Sequence, residues 1–186
     1  MAACNPVGDG IGAGFGRIDA EVRRDAGQKL IAASYRDREE NKPLLAVPIY
    51  ESLIAQDATN AGTYQRQLAD AYREAGKYKE AIGTYQQSEY FPHNLDQIAQ
   101  CYRAMKQYKE AIGVYTQIVA GYEPQAPEAM LNIARTYEAD GKPENAIKTL
   151  QTVCKKYPKS GQASTAHQHL NNVYKITVTM GGAKEE

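Results

Sequence analysis

The hydrophobic positions in the middle of the chain follow two short patterns that alternate and recur. In the first pattern, two adjacent apolar residues are followed by Tyr at the fifth position, over residues 68–72, 98–102 and 133–137. In the second, an Ala-Ile pair is followed at the same distance by Tyr or Leu, within residues 78–85, 108–115 and 143–150. Apolar residues at i, i+1 and i+4 lie on one face of an α-helix. Both patterns therefore predict amphipathic helices.

A helix-breaking dipeptide separates the two patterns in each copy: Gly76-Lys77, Lys106-Gln107 and Gly141-Lys142. A Gly just beyond a helix readily takes the left-handed conformation that ends it. Pro143 suits the first turn of the next helix, where a missing N–H costs nothing. Each copy is therefore predicted to be a helix, a tight turn and a second helix.

The second pattern is nearly identical in two of its copies. Residues 78–85 and 108–115 share seven of eight residues and are thirty residues apart, a period that indicates a repeat architecture. A small residue also stands in both helices of each copy, twelve positions apart, at Ala69/Ala81, Ala99/Ala111 and Ala134/Ala146. Because two helices approach closely only where side chains are small, these alanines predict antiparallel helix pairs.

This pattern resembles the tetratricopeptide repeat family over roughly residues 43–175, with Pro following the second helix at Pro92, Pro124 and Pro158. The resemblance implies an all-α fold, a right-handed solenoid of antiparallel helix pairs with a C-terminal capping helix. The family's consensus Trp in the first helix is absent, and Gln65, Leu95 and Met130 occupy its place.

The repeat spacing is uneven. Matching alanines at 46, 81, 111 and 146 give steps of 35, 30 and 35 residues. Because the twelve-residue offset inside each pair is constant, the short step must come from the second helix or its exit. Against the family's usual period of about 34 residues, the step of 30 lacks four residues, which is about one helical turn. The helix that starts near Tyr78 is therefore expected to end around Ser88, and the solenoid to bend or twist irregularly there.

The chain is divided on these grounds into seven segments. They are a Gly-rich arm (1–18), a degenerate helix pair (19–61), a repeat with a shortened second helix (62–91), two further repeats (92–126 and 127–160), a capping helix (161–176) and a tail (177–186). Pro48 either kinks the second helix of the degenerate pair or marks its start. The capping helix is expected to turn Ala166, Leu170, Val173 and Tyr174 inward.

The two ends of the chain carry weaker signals. Spaced glycines in the arm favour a flexible tether over a phosphate loop, because no strand precedes them and no Lys-Ser/Thr pair follows. Residues 1–4 resemble the end of a bacterial lipoprotein signal, which makes Cys4 a lipidation candidate; an ordinary cytosolic start is the alternative. The tail residues 176–180 alternate as a strand does and would dock on a neighbour, with a frayed end as the alternative.

Composition removes several functional classes. Lys plus Arg and Asp plus Glu both number 22, and the zero net charge predicts no nucleic-acid partner and no membrane contact beyond a lipid on Cys4. Cys101 and Cys154 fall within helical patterns and are interpreted as small apolar core residues. His167 and His169 point apart on one helix, and His93 has no partner at ligand spacing. We therefore expect no metal, no cofactor, no catalytic residues and no enzyme activity.

The first helices of such solenoids line a concave surface that binds peptides or partner helices, as the resemblance implies. The stripe opposite the core on these helices consists of Arg66, Asp70, Arg73, Asp96, Gln100, Arg103, Leu131, Arg135 and Glu138. Mixed charges suit polar recognition, and a solvated face with salt bridges is the alternative. Asp70 stands where co-chaperone members of the family carry Asn, and would repel their carboxylate ligand.

These observations predict a non-enzymatic scaffold for protein–protein interaction, helping to assemble a complex in a bacterial envelope. Residues 126–129 and 157–160 resemble the repeats of periplasmic envelope-associated proteins, which favours a periplasmic or extracellular lipoprotein. One alternative is a structural protein that self-assembles head to tail through its repeat ends and arms. Another is a cytosolic co-chaperone-like peptide binder.

Overall fold

The computed structural model describes residue 27 and residues 42–88 and 90–181. This part of the chain contains eight α-helices and no β-strand, and the all-α prediction is confirmed. Each helix packs against the helix before and after it, and α6 also contacts α8, as in a solenoid of helix pairs. The helices are α1 (Val47–Gln56), α2 (Ala61–Glu74), α3 (Tyr78–Gln87), α4 (His93–Ala104), α5 (Tyr108–Gly121), α6 (Ala126–Ala139), α7 (Pro143–Lys156) and α8 (Gly161–Tyr174).

The turn between the two helices of a repeat has one geometry in all three copies. A single left-handed residue ends the first helix: Gly76 at φ 74°, Lys106 at φ 60° and Gly141 at φ 71°. The N–H of the next residue then donates over 2.8 Å to the carbonyl of Tyr72, Tyr102 or Tyr137. This bond is typical of a helix closed by a left-handed residue. Gly76 and Gly141 predicted this turn in two repeats. Lys106 takes the same left-handed conformation and forms the same turn in the third.

Alanine contacts hold the two helices of each repeat together. Ala69, Ala81, Ala99 and Ala111 have no exposed surface, and Ala134 and Ala146 are 1% and 0% exposed. Large side chains fill the space beside them, and Tyr50, Tyr85 and Tyr115 are completely buried. The small residues at 12-residue spacing thus lie where helix–helix packing needs them.

The second helix of one repeat is shorter than its counterparts. α3 has 10 residues, whereas α5 and α7 have 14 each. It ends at Gln87, next to the expected Ser88.

Asn94, in the first turn of α4, is completely buried below the end of α3. Its side-chain amide donates to the carbonyls of Ser88 (2.8 Å) and Tyr85 (3.1 Å). One amide therefore satisfies backbone groups that a further helical turn would otherwise have paired.

The flank before the first full repeat begins with a 3-10 turn at Pro43–Ala46, which continues into α1. Pro48 lies in the first turn of α1, so it marks the start of this helix and does not kink its interior. The Gly-rich arm, Cys4 and the helix expected over 19–41 lie outside the described residues, except for residue 27.

α8 closes the array, with Ser160 accepting a hydrogen bond from the Ala163 N–H at its first turn. Ala166 and Leu170 are fully buried as expected, but Val173 is 57% exposed, contrary to its expected inward position. The inward stripe is centred nearer Ala163 and Leu170, so Val173 falls at its edge.

Residues 175–181, the part of the chain after α8 that the structure describes, form no strand, so the alternation at 176–180 was misleading as a secondary-structure signal. Ile176 and Val178 instead pack on the core shared by α6, α7 and α8. The Gly181 N–H donates to the Cys154 carbonyl over 3.2 Å. The described part of the tail therefore folds back over the last two helices of its own chain.

The account of the short repeat predicts a large effect for one buried amide. Asn94→Ala leaves the Ser88 carbonyl without its side-chain donor and opens a small void, so the free energy of unfolding should fall by about 1–3 kcal/mol. Chemical denaturation measures this change. The control Asn171→Ala, on an exposed position of α8, should stay within about 0.5 kcal/mol. Equal losses in both variants would contradict the capping role.

Candidate protein-binding face

The predicted stripe lies on α2, α4 and α6, and eight of its nine residues are partly or fully exposed. We call these eight the first-helix face: Arg66, Asp70, Arg73, Asp96, Gln100, Arg103, Arg135 and Glu138. Leu131 is the exception and corrects the prediction, because it is only 4% exposed. It belongs to the core that α6 shares with α7 and α8, and the packing of α8 against α6 encloses it.

In the first full repeat, the face is anchored to a buried tyrosine. The Tyr85 hydroxyl donates to the Asp70 carboxylate, and Arg73 lies 3.8 Å from the same carboxylate. Burial, followed by the effect of Asp70, raises the pKa of Tyr85. The carboxylate is thus held by a phenol from below and a guanidinium from the side.

The next repeat has the same tyrosine and arginine without the carboxylate. Gln100 replaces Asp70, and its amide donates to Asp96 over 2.6 Å. The hydroxyl of the fully buried Tyr115 meets no group of the described residues with hydrogen-bond geometry. The pKa of Tyr115 is raised to about 12, mainly by burial and also by Asp96, while the nearby Arg103 and Arg135 act in the opposite direction. A buried donor without an acceptor is uncommon and calls for a physical explanation.

A hydrogen-bonded network joins α4 to α6. Asp96 accepts from the Asn132 amide over 3.5 Å, and Asn132 accepts from Arg135 over 3.0 Å. Arg135 also lies 3.6 Å from the Glu128 carboxylate. Two successive first helices therefore present one connected set of polar groups.

At the C-terminal end, the face is closed by α8. Glu138 accepts from the Tyr174 hydroxyl over 2.7 Å and lies 2.6 Å from His169 Nε2. Burial and then Glu138 raise the pKa of Tyr174 to about 12. His169 thus contacts a carboxylate of the face.

The loop after the short helix adds aromatic surface that the sequence analysis did not assign to the site. Tyr90 is 56% exposed and Phe91 45% exposed, and the Arg66 guanidinium carbon lies 4.9 Å from the centre of the Tyr90 ring. A cavity of about 440 Å³ opens beside this loop, lined by Tyr90, Phe91, Pro92, His93, Asp96, Ile118, Gln125, Glu128 and Ala129. The sequence signal that could have identified this aromatic surface is the missing helical turn, because the shortened helix places Tyr90 and Phe91 next to the first-helix face.

Within the part of the chain that the structure describes, the His and Cys residues do not form a metal-binding or catalytic site. Within it, no group of three or more His, Cys, Asp or Glu is arranged to hold a metal ion. Cys101 and Cys154 are buried, and burial raises the pKa of the Cys101 thiol to about 11, as suits a core residue. None of the described helices has the length and apolar character needed to cross a bilayer.

The two tyrosines predict opposite effects of one substitution. Tyr85→Phe removes a hydrogen bond to a carboxylate and should lower the free energy of unfolding by about 1.5–3 kcal/mol. Tyr115→Phe removes a hydroxyl that has no acceptor and should leave stability unchanged or raise it by up to about 1 kcal/mol. Each variant is the matched control of the other in chemical denaturation. Similar losses in both would show that Tyr115 has an acceptor in solution.

Comparison with known families places two matches on the chain. Residues 97–175 match the Tetratricopeptide repeat family, and residues 45–118 match the family described as Anaphase-promoting complex, cyclosome, subunit 3. The comparison with curated proteins found no match.

Solved structures show the fold at low sequence identity. MamA residues 41 to the end from Desulfovibrio magneticus RS-1 is 19% identical, covering 81% of this chain and 94% of that one, with a TM-score of 0.57. A Parabacteroides merdae tetratricopeptide repeat protein is 18% identical, covering 79% and 59%, with a TM-score of 0.59. The TPR-like repeats of a Podospora anserina protein described as a kinesin light chain are 21% identical, covering 80% and 84%, with a TM-score of 0.58.

The family match covers the last two helix pairs and α8, and the solenoid of similar structures extends over most of the chain. This chain is therefore similar to the Tetratricopeptide repeat family over residues 97–175, and similar in fold to the solved repeat structures over about four fifths of its length.

Proposed function

We propose that this protein is a non-enzymatic scaffold that binds a partner protein along its first-helix face. The observation that carries the proposal is the network of Asp96, Asn132 and Arg135, which joins α4 to α6 beside a cavity with two exposed aromatic rings. Aromatic residues and Arg are enriched where protein interfaces are buried, because they combine large contact area with directed polar groups.

The arrangement suits an extended segment of a partner better than a compact ligand. The polar groups lie on successive helices, so a chain running across them would meet a new set at each repeat. The exposed rings of Tyr90 and Phe91 would contact apolar side chains of such a segment, while Arg66 and Arg103 supply directional donors. A face that is merely solvated would not need exposed aromatic rings at its edge.

The fold also favours a binding module over head-to-tail self-assembly. Ile176 and Val178 cover the core of α7 and α8, where a further repeat would otherwise stack. A second copy would have to displace this tail before using that end of the array.

Charge reversal tests the face directly. The double variant Arg73→Glu/Arg103→Glu should lose capture of partners from a lysate of the source organism, because both guanidiniums lie on the first-helix face. The matched control Lys79→Glu/Lys109→Glu carries the same charge change on exposed positions of α3 and α5 and should retain capture. Captured proteins are compared by mass spectrometry. Retention by the first variant, or equal loss by both, would reject this face as the binding surface.

A finer proposal concerns location: the scaffold would act in a bacterial envelope, tethered through lipid on Cys4. Its support is the sequence Met1-Ala2-Ala3-Cys4, followed by a Gly-rich segment that suits a tether. Intact mass spectrometry of protein isolated from its source should show a diacylated or triacylated N-terminal Cys4. An unmodified mass would contradict the envelope tether and leave the binding face untouched.

A further inference from the structure

Two consecutive repeats provide an internal comparison of the same site with and without a carboxylate. Asp70, Arg73 and Tyr85 are followed thirty residues later by Gln100, Arg103 and Tyr115. In the first repeat, Tyr85 and Arg73 both engage the Asp70 carboxylate. In the second, the tyrosine and the arginine are kept and the carboxylate is lost.

The second site does not compensate for this loss internally. Gln100 is committed to Asp96 at 2.6 Å, and Asp96 also accepts from Asn132. Within the described residues, the Tyr115 hydroxyl lacks a hydrogen-bond acceptor, whereas the Tyr85 hydroxyl has one; the Nε atoms of Arg73 and Arg103 are unpaired in both repeats. A buried hydroxyl without an acceptor destabilises the folded chain, so a suitable acceptor from outside would bind favourably.

The charges around the Tyr115 hydroxyl favour an anion. The charged groups that act on it are Asp96, Arg103 and Arg135, two cations and one anion. Arg103 forms no ion pair within the described part of the chain, whereas Arg73 pairs with both Asp70 and Glu74. Because the Glu128 carboxylate already lies 3.6 Å from Arg135, an additional carboxylate would pair with Arg103.

We propose that this site receives the side-chain carboxylate of a Glu or Asp in an extended partner segment. The carboxylate would accept the Tyr115 hydroxyl proton in a hydrogen bond and pair with Arg103, as the Asp70 carboxylate does with Tyr85 and Arg73. This inference rests on the proposed function and names the chemistry of the partner. Tyr115 is completely buried, so this binding requires the half-buried side chains of Gln100 and Arg103 to change rotamer and open a path to the hydroxyl.

The neighbouring cavity indicates which side chain should accompany the acidic residue in the partner segment. Asp96 belongs both to the network beside Tyr115 and to the wall of the 440 Å³ cavity. The partner segment would therefore carry an apolar side chain for the cavity close to its acidic residue.

The test uses the full chain and an array of 12-residue peptides with amidated C-termini, in which each Glu-containing peptide has a Glu→Gln partner. Peptides bound by the wild-type chain should lose about tenfold or more in affinity on Glu→Gln, as for a hydrogen bond to a charged group. Tyr115→Phe and Arg103→Gln should lose a similar factor on the Glu peptide and little on its Gln partner. The control Lys109→Gln, on an exposed position of α5 outside the first-helix face, should stay within about threefold.

The outcomes separate the two proposals. Peptides that bind the face with no difference between Glu and Gln would overturn the carboxylate site and leave the proposed function standing. Binding seen only when the same peptides are presented with a free C-terminal carboxylate would also overturn it. If no peptide in the array binds, both proposals fail.

Discussion

The close approach of two helices at an alanine pair is the constraint on which the rest of this structure depends. In each of the three repeats, a buried Ala in the first helix and another twelve residues later leave room for the two backbones to approach. A larger side chain at either position would separate the helices and disturb the tyrosines and leucines packed alongside. Because this contact recurs, the first helices stand in the same relation to their partners, and their polar sides form one surface.

The departures from this regularity coincide with the candidate chemistry. Losing one turn from α3 brings Asn94 under the helix end and places two aromatic rings beside the first-helix face. Replacing Asp70 by Gln100 at the equivalent place leaves a buried hydroxyl without its acceptor. The helix pairs have the same geometry in each repeat. Both changes can therefore be identified by comparing a repeat with its neighbour.

The apolar patterns were sufficient to predict the helix pairs, their turns and the short helix, since these depend on local periodicity and on one repeated spacing. The burial of Leu131 was missed because α8, a separate helix, covers it. The stripe was predicted from the residue spacing within one helix and takes no account of neighbouring helices. The alternation in the tail predicted a strand, yet the same β-branched residues pack on the core of α7 and α8 without a partner strand.

Asn94 and Tyr115 show a second limit of sequence reasoning. Polar residues inside a helical pattern give no sign of which backbone or side-chain groups they will meet. The Asn94 amide nitrogen finds two carbonyls across the loop, whereas the Asn94 side-chain oxygen and the Tyr115 hydroxyl find no partner among the described residues, although both side chains are completely buried. Only the three-dimensional neighbours distinguish a satisfied polar group from an unsatisfied one.

The most direct test of the account is an NMR titration of the ¹⁵N-labelled chain with the tightest peptide of the array. Backbone amide shifts should change on α2, α4 and α6 and in the loop at 88–92, with the largest changes near Arg103. Changes concentrated instead on the exposed sides of α3, α5 and α7 would contradict the claim that the first helices carry the binding surface.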